Sequence, residues 1–228
     1  MRYTAVLFDL DGTLVDSVPD ISQSINHMLT ELDHPTLSTA RISEFLGKGM
    51  AHLIQLALKE VSAGTAPSAT HLARAEGLFS THYAWQCAHS VSKVFSGVTA
   101  GLDKFQAAGC KLAVVTNKPI AFVPLLLEQM GLDHYFELLV GGDSCAEKKP
   151  HPLPFLYACS ELEVHPHDAL VIGDSSNDSL AARAANIDVL IVPYGYNEGE
   201  SVQTLDCDGI VSSIADAAHW AAQLKNEN

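Results

Sequence analysis

Short apolar runs alternate with longer amphipathic stretches along most of the chain. The runs that predict β-strands are residues 3–8, 112–115, 138–140, 169–172 and 189–192. Between the later runs, the segments that predict helices are residues 120–130, 152–161 and 180–185. This rhythm is typical of βαβ units, whose strands pair in parallel through right-handed crossovers. We therefore expect an α/β fold with a Rossmann-like, mostly parallel sheet and helices on both of its faces.

The pattern changes between the first predicted strand and residue 97, where a helical period dominates. The predicted helices of this segment are residues 20–32, 39–46, 50–61 and 69–88. Because structureless loops above about 12–15 residues are uncommon in compact domains, the segment is better explained as an inserted helical domain. We expect an α/β core of residues 1–16 and 96–228, and a helical cap of residues 17–95. Polar hinges are predicted at residues 16–19 and 90–96.

Composition and charge narrow the classes of partner. With 228 residues, of which 47% are hydrophobic, the chain can bury a substantial core. Its formal net charge is −14 and no basic stripe stands out, which argues against nucleic acid or an anionic membrane as a partner. A small phosphorylated ligand would be repelled at long range. Such a ligand therefore needs a local positive centre, most simply a divalent ion plus a lysine.

The N-terminus and the cysteines predict a cytoplasmic protein. The apolar run before Asp9 covers residues 5–8, which is too short for the core of a signal peptide. The five cysteines are odd in number, widely spread and without a Cys-x-x-Cys pair, so they indicate neither a disulfide framework nor a zinc site. We expect reduced cysteines and a monomer or small homo-oligomer.

Two carboxylates follow the first predicted strand. In an extended segment alternate residues point to the same side, so Asp9 and Asp11 can face one small volume while Leu7 and Leu10 stay buried. Like charges this close raise each other's pKa unless a cation or a shared proton relieves them. The pair therefore suggests a metal site, general acid–base chemistry, or both. A plain strand end with an Asp-Gly turn has the same pattern.

Polar residues also follow two later strands. Thr116 and nearby backbone N–H groups are placed to hold an anion, although a Thr or Asn helix cap would look the same. Lys148 and Lys149 precede Pro150, which favours an extended backbone in the residue before it. Lys149 is thus the better candidate for an ammonium directed at a fixed point. Lys148 and a solvated basic pair remain alternatives.

The strand at residues 169–172 leads to two further carboxylates. Asp174 lies at the strand tip, where an unpaired buried carboxylate is costly without a cation or donors. Asp178 would lie in the first turn of the next helix, where the helix dipole favours a carboxylate without any further role. Because functional groups collect at the carboxyl ends of parallel strands, we expect all four strand ends to meet.

In their order and spacing these strand ends resemble the haloacid-dehalogenase-like phosphatase superfamily, most closely its phosphoglycolate phosphatase group. The matching segments are residues 9–17, 115–118, 149–152 and 173–178. The resemblance implies a Mg²⁺-dependent phosphomonoesterase of a small phosphorylated metabolite, first of all 2-phosphoglycolate, with a cap that closes over the leaving group.

Alternatives remain within and outside this class. Another sugar-phosphate phosphatase, for example for N-acetylmuramic acid 6-phosphate, or a phosphoglucomutase would use the same motifs. A receiver-like signalling module also combines an acidic pocket, Mg²⁺ and a phosphorylatable aspartate. It carries that aspartate later in the chain, however, and it has no helical insertion.

The resemblance also implies roles for individual residues. Asp9 would be the nucleophile, and Asp11 the general acid that then becomes the general base. Mg²⁺ would be bound by the Asp9 carboxylate, the Asp11 backbone carbonyl and Asp174, with Asp178 in a supporting position. All of these groups would act on one phosphoryl group.

The same resemblance implies a phosphate site and a reader of the substrate. Thr116, Lys149 and the backbone N–H groups of Leu10 and Asn117 would hold the phosphoryl oxygens. In the cap, Lys48 lies between two glycines in a turn between predicted helices, and it could reach a substrate carboxylate. A simple turn with an exposed lysine explains it equally well.

Overall fold

A computed structural model of the protein describes residues 1–197 and 201–223. The strands are β1 (Ala5–Phe8), β2 (Val15–Asp16), β3 (Lys93–Val94), β4 (Lys111–Val115), β5 (Leu138–Val140), β6 (Ala169–Gly173), β7 (Asp188–Ile191) and β8 (Gly209–Ile210). The α-helices are α1 (Val18–Glu31), α2 (Thr39–Ser43), α3 (Met50–Val61), α4 (Ala69–Ala88), α5 (Val98–Ala107), α6 (Val123–Gln129), α7 (Leu153–Glu161), α8 (Ser176–Ala184) and α9 (Ile214–Gln223). The predicted core domain runs to residue 228, but residues 224–228 lie outside the described residues.

Six of the described strands form one sheet in the order β5-β4-β1-β6-β7-β8, and all neighbours pair in parallel. The α/β class predicted from the apolar rhythm is therefore confirmed. From β1 the chain adds β4 and then β5 on one side of β1. It then returns and adds β6 on the other side of β1 in the same sheet. Ligands of open α/β sheets bind at such a reversal, outside the carboxyl ends of the strands.

Both faces of the sheet are covered, and β1 shows why its sequence is apolar without interruption. Val6 and Phe8 belong to one hydrophobic core, which contains residues of α5 and α9. Ala5 and Leu7 belong to a second core on the opposite face, which contains residues of α7 and α8. Successive side chains of a strand point to opposite faces, so a strand covered on both sides must be apolar throughout.

The helix expected at residues 120–130 begins differently from the prediction. Residues 120–122 form a single 3₁₀ turn after Pro119, and α6 starts at Val123 with Pro124 in its first turn. Proline is tolerated there because the first N–H groups of a helix have no intrahelical acceptor. Pro119 therefore precedes the 3₁₀ turn and does not lie in the first turn of the α-helix.

Helices α1 to α4, which we call the cap helices, pack around a hydrophobic cluster that also includes Phe122 from the sheet side. The chain enters and leaves this region through a two-stranded antiparallel ribbon, in which Val15 and Asp16 of β2 pair with Val94 and Lys93 of β3. Among the described helices, none combines the length and the apolar character that crossing a bilayer requires.

Candidate active site

Asp9 lies directly after β1, the strand at which the strand order of the sheet reverses. Its carboxylate is held from two directions. The Leu10 N–H donates to Asp9 Oδ1 over 2.8 Å, and Lys149 Nζ lies 3.0 Å from the same oxygen. Lys149 is buried, and its ammonium also donates to Asp178 Oδ1 over 2.6 Å and to the Val115 carbonyl over 2.8 Å. Its position is thus fixed by three acceptors from three parts of the chain.

Asp11 has a different environment from Asp9. Lys118 Nζ donates to both Asp11 carboxylate oxygens, over 2.8 and 2.9 Å, and Ser17 Oγ donates to Oδ1 over 2.6 Å. The Lys118 side chain is only 3% exposed. Charge-assisted hydrogen bonds of this kind fix the orientation of a carboxylate. Asp9 and Asp11 therefore come from one loop but have separate cations.

Asp174 and Asp178 lie at the end of β6 and the start of α8. Asp174 accepts hydrogen bonds from the Thr13 hydroxyl over 2.9 Å and from the Tyr196 N–H over 2.6 Å. Asp178 is the third residue of α8, and with Ser175 it forms a capping box in which each side chain meets the other's backbone. The cap role considered from the sequence is thus present, and Asp178 also bonds Lys149.

The charges of this cluster are unbalanced. One carboxylate oxygen from each of Asp9, Asp174 and Asp178 lies within 4.8 Å of the others. Burial, followed by repulsion from Asp9 and Asp178, raises the pKa of Asp174 well above its usual range. Burial likewise raises the pKa of Asp9 to about 6, although Lys149 opposes the shift. Burial alone would lower the pKa of Lys149, but Asp178 and Asp9 outweigh it and raise that pKa.

This donor set fits a hard divalent cation. Carboxylate and carbonyl oxygens are the ligands that Mg²⁺ prefers, and three carboxylates beside one buried lysine leave an excess of negative charge. Asp9, Asp174 and Asp178 each offer one oxygen to such an ion, and together they form one candidate metal site. Within it, Asp178 also bonds Lys149 and caps α8.

The remaining phosphate-binding candidates surround the same place. Thr116 is buried after β4, and its Oγ1 accepts the Lys118 N–H over 3.2 Å. The Asn117 amide donates to the carbonyls of Lys149 and Gly47, over 2.9 and 3.1 Å, while its own Oδ1 has no partner among the described residues. Asn117 therefore connects the sheet to the cap.

A cavity separates these strand ends from the cap helices. Its polar lining includes Asp9, Asp11, Thr116, Asn117, Lys118, Asp174 and Ser175. Its apolar lining comes mainly from the cap and includes Ile21, Leu46, Met50, Leu53, Phe79 and Tyr83. A ligand there would meet charge on one side and hydrocarbon on the other.

Lys48 does not line this cavity. Its neighbours Gly47 and Gly49 do, but Lys48 itself is exposed, and its carbonyl accepts a hydrogen bond from Lys148 Nζ over 2.7 Å. The two lysines before Pro150 thus have different environments, since Lys149 enters the acidic cluster and Lys148 bonds the cap turn. The substrate-reading role of Lys48 stays a prediction, and in the structure Lys48 lies next to the cavity lining and not in it.

Several residues of the site were not singled out from the sequence. They are Thr13, Ser17, Tyr83, Lys118 and Tyr196, each of which touches a carboxylate of the site or lines the cavity. Lys118 lies in the matching segment 115–118 and could have been noticed as a cation next to Asn117 of the predicted phosphate site. The others depend on contacts that no local pattern shows.

The same architecture occurs in known proteins. A family model described as haloacid dehalogenase-like hydrolase matches residues 6–192. A phosphoglycolate phosphatase from Nitrosospira multiformis is 44% identical over 213 residues, covering 93% of each chain. One from Thiobacillus denitrificans is 42% identical over 215 residues, covering 94% of this chain and 93% of its own. The solved structure of a predicted phosphoglycolate phosphatase from Haemophilus somnus has a TM-score of 0.91 at 34% identity, covering 97% of this chain and 99% of its own.

Together, the fold, the site and these relatives define a phosphoric monoester hydrolase. The chain belongs to the haloacid dehalogenase-like hydrolase family. The resemblance stated from the four motifs is therefore confirmed, and membership of a hydrolase family leaves the receiver-like alternative without support.

Proposed function

We propose that the protein hydrolyses 2-phosphoglycolate to glycolate and phosphate, with Mg²⁺, through an aspartyl-phosphate on Asp9. The observation that carries this proposal is the separate environment of the two carboxylates. Asp9 lies in the acidic cluster beside Lys149, whereas Asp11 bonds Lys118 and Ser17. Two carboxylates in different settings suit two roles in one reaction. The names of the relatives at 42–44% identity support the choice of substrate.

In the first step a carboxylate oxygen of Asp9 attacks phosphorus, and the bond from phosphorus to the leaving oxygen breaks. Asp11 gives a proton to that oxygen, so glycolate leaves as the alcohol. In the second step a water oxygen attacks the phosphorus of the aspartyl phosphate, Asp11 takes a proton from that water, and the bond from phosphorus to the Asp9 oxygen breaks. Phosphate leaves, Asp9 is again a carboxylate, and Asp11 is again protonated.

The surrounding residues stabilise this transfer by being in place beforehand. Asp9, Asp174 and the Asp11 carbonyl would hold Mg²⁺, which when bound offsets charge on the phosphoryl oxygens. Lys149 favours the ionised form of Asp9 that attack requires. Thr116 and the backbone N–H groups of Leu10 and Asn117 would orient the phosphoryl oxygens.

The proposal keeps a small phosphorylated metabolite as partner and the cytoplasm as location.

The first experiment measures phosphate release from a panel of monoesters that includes 2-phosphoglycolate, sugar phosphates and N-acetylmuramic acid 6-phosphate. We expect 2-phosphoglycolate to have the highest kcat/KM, and chelation of divalent metal to abolish turnover. Activity that persists after complete chelation would refute the metal requirement, and a strong preference for another monoester would replace the substrate.

A second experiment tests the intermediate and the metal ligands. Rapid quenching in acid during turnover should give a protein heavier by one phosphoryl group, and peptide mapping should place it on Asp9. Mg²⁺ should raise the melting temperature of the wild type, and the Asp174→Asn variant should lose most of that rise. Phosphorylation at another residue would refute the assignment of the nucleophile.

A further inference from the structure

Lys118 is the one lysine or arginine that lines the cavity, as far as the described residues show. It is held against Asp11, which the proposed mechanism places beside the leaving oxygen. An ammonium has three N–H donors, and two hydrogen bonds of Lys118 Nζ go to the two Asp11 oxygens. A substrate group only a bond or two beyond the leaving oxygen would therefore lie close to this cation.

Tyr83 of α4 supplies a second, independent observation. It lines the same cavity and is 2% exposed, and its hydroxyl makes no hydrogen bond of normal geometry among the described residues, with the Cys87 thiol, a weak partner, one turn further along α4. A buried polar group without a partner is costly, so a ligand that satisfies it gains affinity. Burial, followed by repulsion from Asp11, raises the Tyr83 pKa well above its usual range. The phenol therefore remains a hydrogen-bond donor.

The two groups are held next to each other. Lys118 Nζ lies 4.7 Å from the centre of the Tyr83 ring. The ring is also packed by Phe79 of the cap, at 5.2 Å between centroids, and by Phe122 of the sheet side, at 5.1 Å. Lys118, which also pairs with Asp11, and the weakly partnered phenol lie against aromatic rings and form a site for a small anion, because hydrocarbon surroundings strengthen both contacts.

The geometry points to Lys118 and Tyr83 as the residues that recognise an anionic group, a carboxylate, on the leaving group of the substrate. This inference rests on the proposed function, and it assigns to Lys118 the role that the sequence suggested for Lys48. In 2-phosphoglycolate one methylene separates the leaving oxygen from the carboxylate.

The test compares 2-phosphoglycolate with its amide, 2-phosphoglycolamide, which has nearly the same shape but no charge on the leaving group. The wild type should prefer the carboxylate by at least about tenfold in kcat/KM, the usual size of one charge-assisted hydrogen bond. Lys118→Met should reduce this ratio by about 10- to 100-fold, mainly through KM for the carboxylate. Lys118→Arg should keep most of the ratio.

Two further variants separate recognition from other effects. Tyr83→Phe removes only the hydroxyl and keeps the ring, so we expect a smaller fall of the ratio, by about threefold to tenfold. Lys148→Met is the control. It removes the positive charge of Lys148, whose ammonium donates a hydrogen bond to the Lys48 carbonyl. It should change the ratio by less than about threefold, because exposed charges are screened.

Binding without turnover gives an independent readout. Calorimetry with 3-phosphonopropionate and with propylphosphonate compares a carboxylate with a methyl group on a backbone that cannot be hydrolysed. The wild type should bind the first more tightly, and Lys118→Met should lose that difference. If Lys118→Met does not fold, Tyr83→Phe decides alone.

The possible failures are distinguishable. If Lys118→Met lowers kcat/KM for the carboxylate and the amide equally, Lys118 acts only on Asp11, and the recognition role is wrong. The same conclusion follows if the wild type shows no preference for the carboxylate. If no monoester is hydrolysed at all, the proposed function fails, whereas the phosphonate measurements still test the anion site.

Discussion

The two sides of the cavity are built in different ways. On the sheet side, ion pairs and hydrogen bonds hold the charged groups in place before any ligand binds. Lys149, for example, is held between Asp9 and Asp178. The cap side presents hydrocarbon, including Met50, Leu53 and Phe79. When charge develops in a transition state, it is stabilised best by groups that are already in position. The strand ends of a buried sheet hold groups in this way. The apolar wall excludes water and leaves discrimination to a few polar groups.

The largest effect should follow from removing the proposed nucleophile. Asp9→Asn keeps the size of the side chain but removes the attacking carboxylate, so kcat should fall by on the order of 10⁴-fold or more. The measurement is steady-state phosphate release, with circular dichroism as the check on folding. More than about 1% of the wild-type rate would contradict the assignment of Asp9.

Removing the buried cation of the sheet side should damage stability as well as activity. Lys149→Met leaves Asp9 and Asp178 without their shared partner, and breaking a buried ion pair typically costs about 3–5 kcal/mol in the free energy of unfolding. Urea denaturation measures this loss. Lys148→Met is the matched control and should cost less than about 1 kcal/mol, since that lysine is exposed.

The acidic cluster should make the metal-free protein less stable as pH rises. Asp9 has a pKa of about 6 in the fold and 3.8 as its ordinary value. Between these values the folded state binds more protons than the unfolded state, so stability falls with rising pH. Asp9 alone accounts for a loss on the order of 3 kcal/mol from about pH 4 to pH 7.

Because other carboxyl groups titrate in the same range, the quantity to measure is a difference. The free energy of unfolding of metal-free wild type, minus that of Asp9→Asn, should decrease as pH rises through this window. A difference that is flat, or that increases with pH, would show that Asp9 is not destabilised by its surroundings.

The smallest effect concerns the cap turn. Gly49 has φ 87° and ψ 170°, a backbone region that only glycine adopts readily, and an added Cβ would lie 3.1 Å from the Asn117 carbonyl oxygen. Gly49→Ala should therefore cost about 1–3 kcal/mol. Gly77→Ala, on the exposed side of α4 with open space around it, should instead stabilise by about 0.5–1 kcal/mol. Thermal unfolding of both variants checks the opposite signs.

Strand ends were predictable from the sequence because buried parallel strands are apolar throughout and then stop at a polar residue. Asp9 and Asp174 were found in this way, and the structure brings both into one cluster. The choice between Lys148 and Lys149 was only an inference from Pro150, because both lysines lie in an irregular loop. Their environments differ through contacts with Asp9 and with the cap turn, which lie far away in the chain.

Helix α5 shows why other elements were missed. Its first turn contains Val98, Thr99 and Gly101, which are poor helix formers, although Val98, Leu102 and Phe105 recur at helical spacing and could have predicted it. Gly101 is needed because a Cβ there would meet the Ile214 backbone at 2.4 Å. The helix is thus held by close packing against α9. Lys118 lies in the matching segment 115–118, but its contacts could not be predicted, since its partners Asp11 and Tyr83 are distant in sequence.

The ribbon of β2 and β3 has a consequence for the history of such proteins. The chain leaves the sheet at Val15–Asp16 and returns beside it at Lys93–Val94, so both ends of the helical segment are neighbours. Seen from the sheet, the whole segment is one hairpin loop, whatever its length. Segments with adjacent ends tolerate replacement and insertion well. A cap of another size or shape could therefore be exchanged at this point, and new substrates acquired, while the strand order and the acidic cluster remain intact.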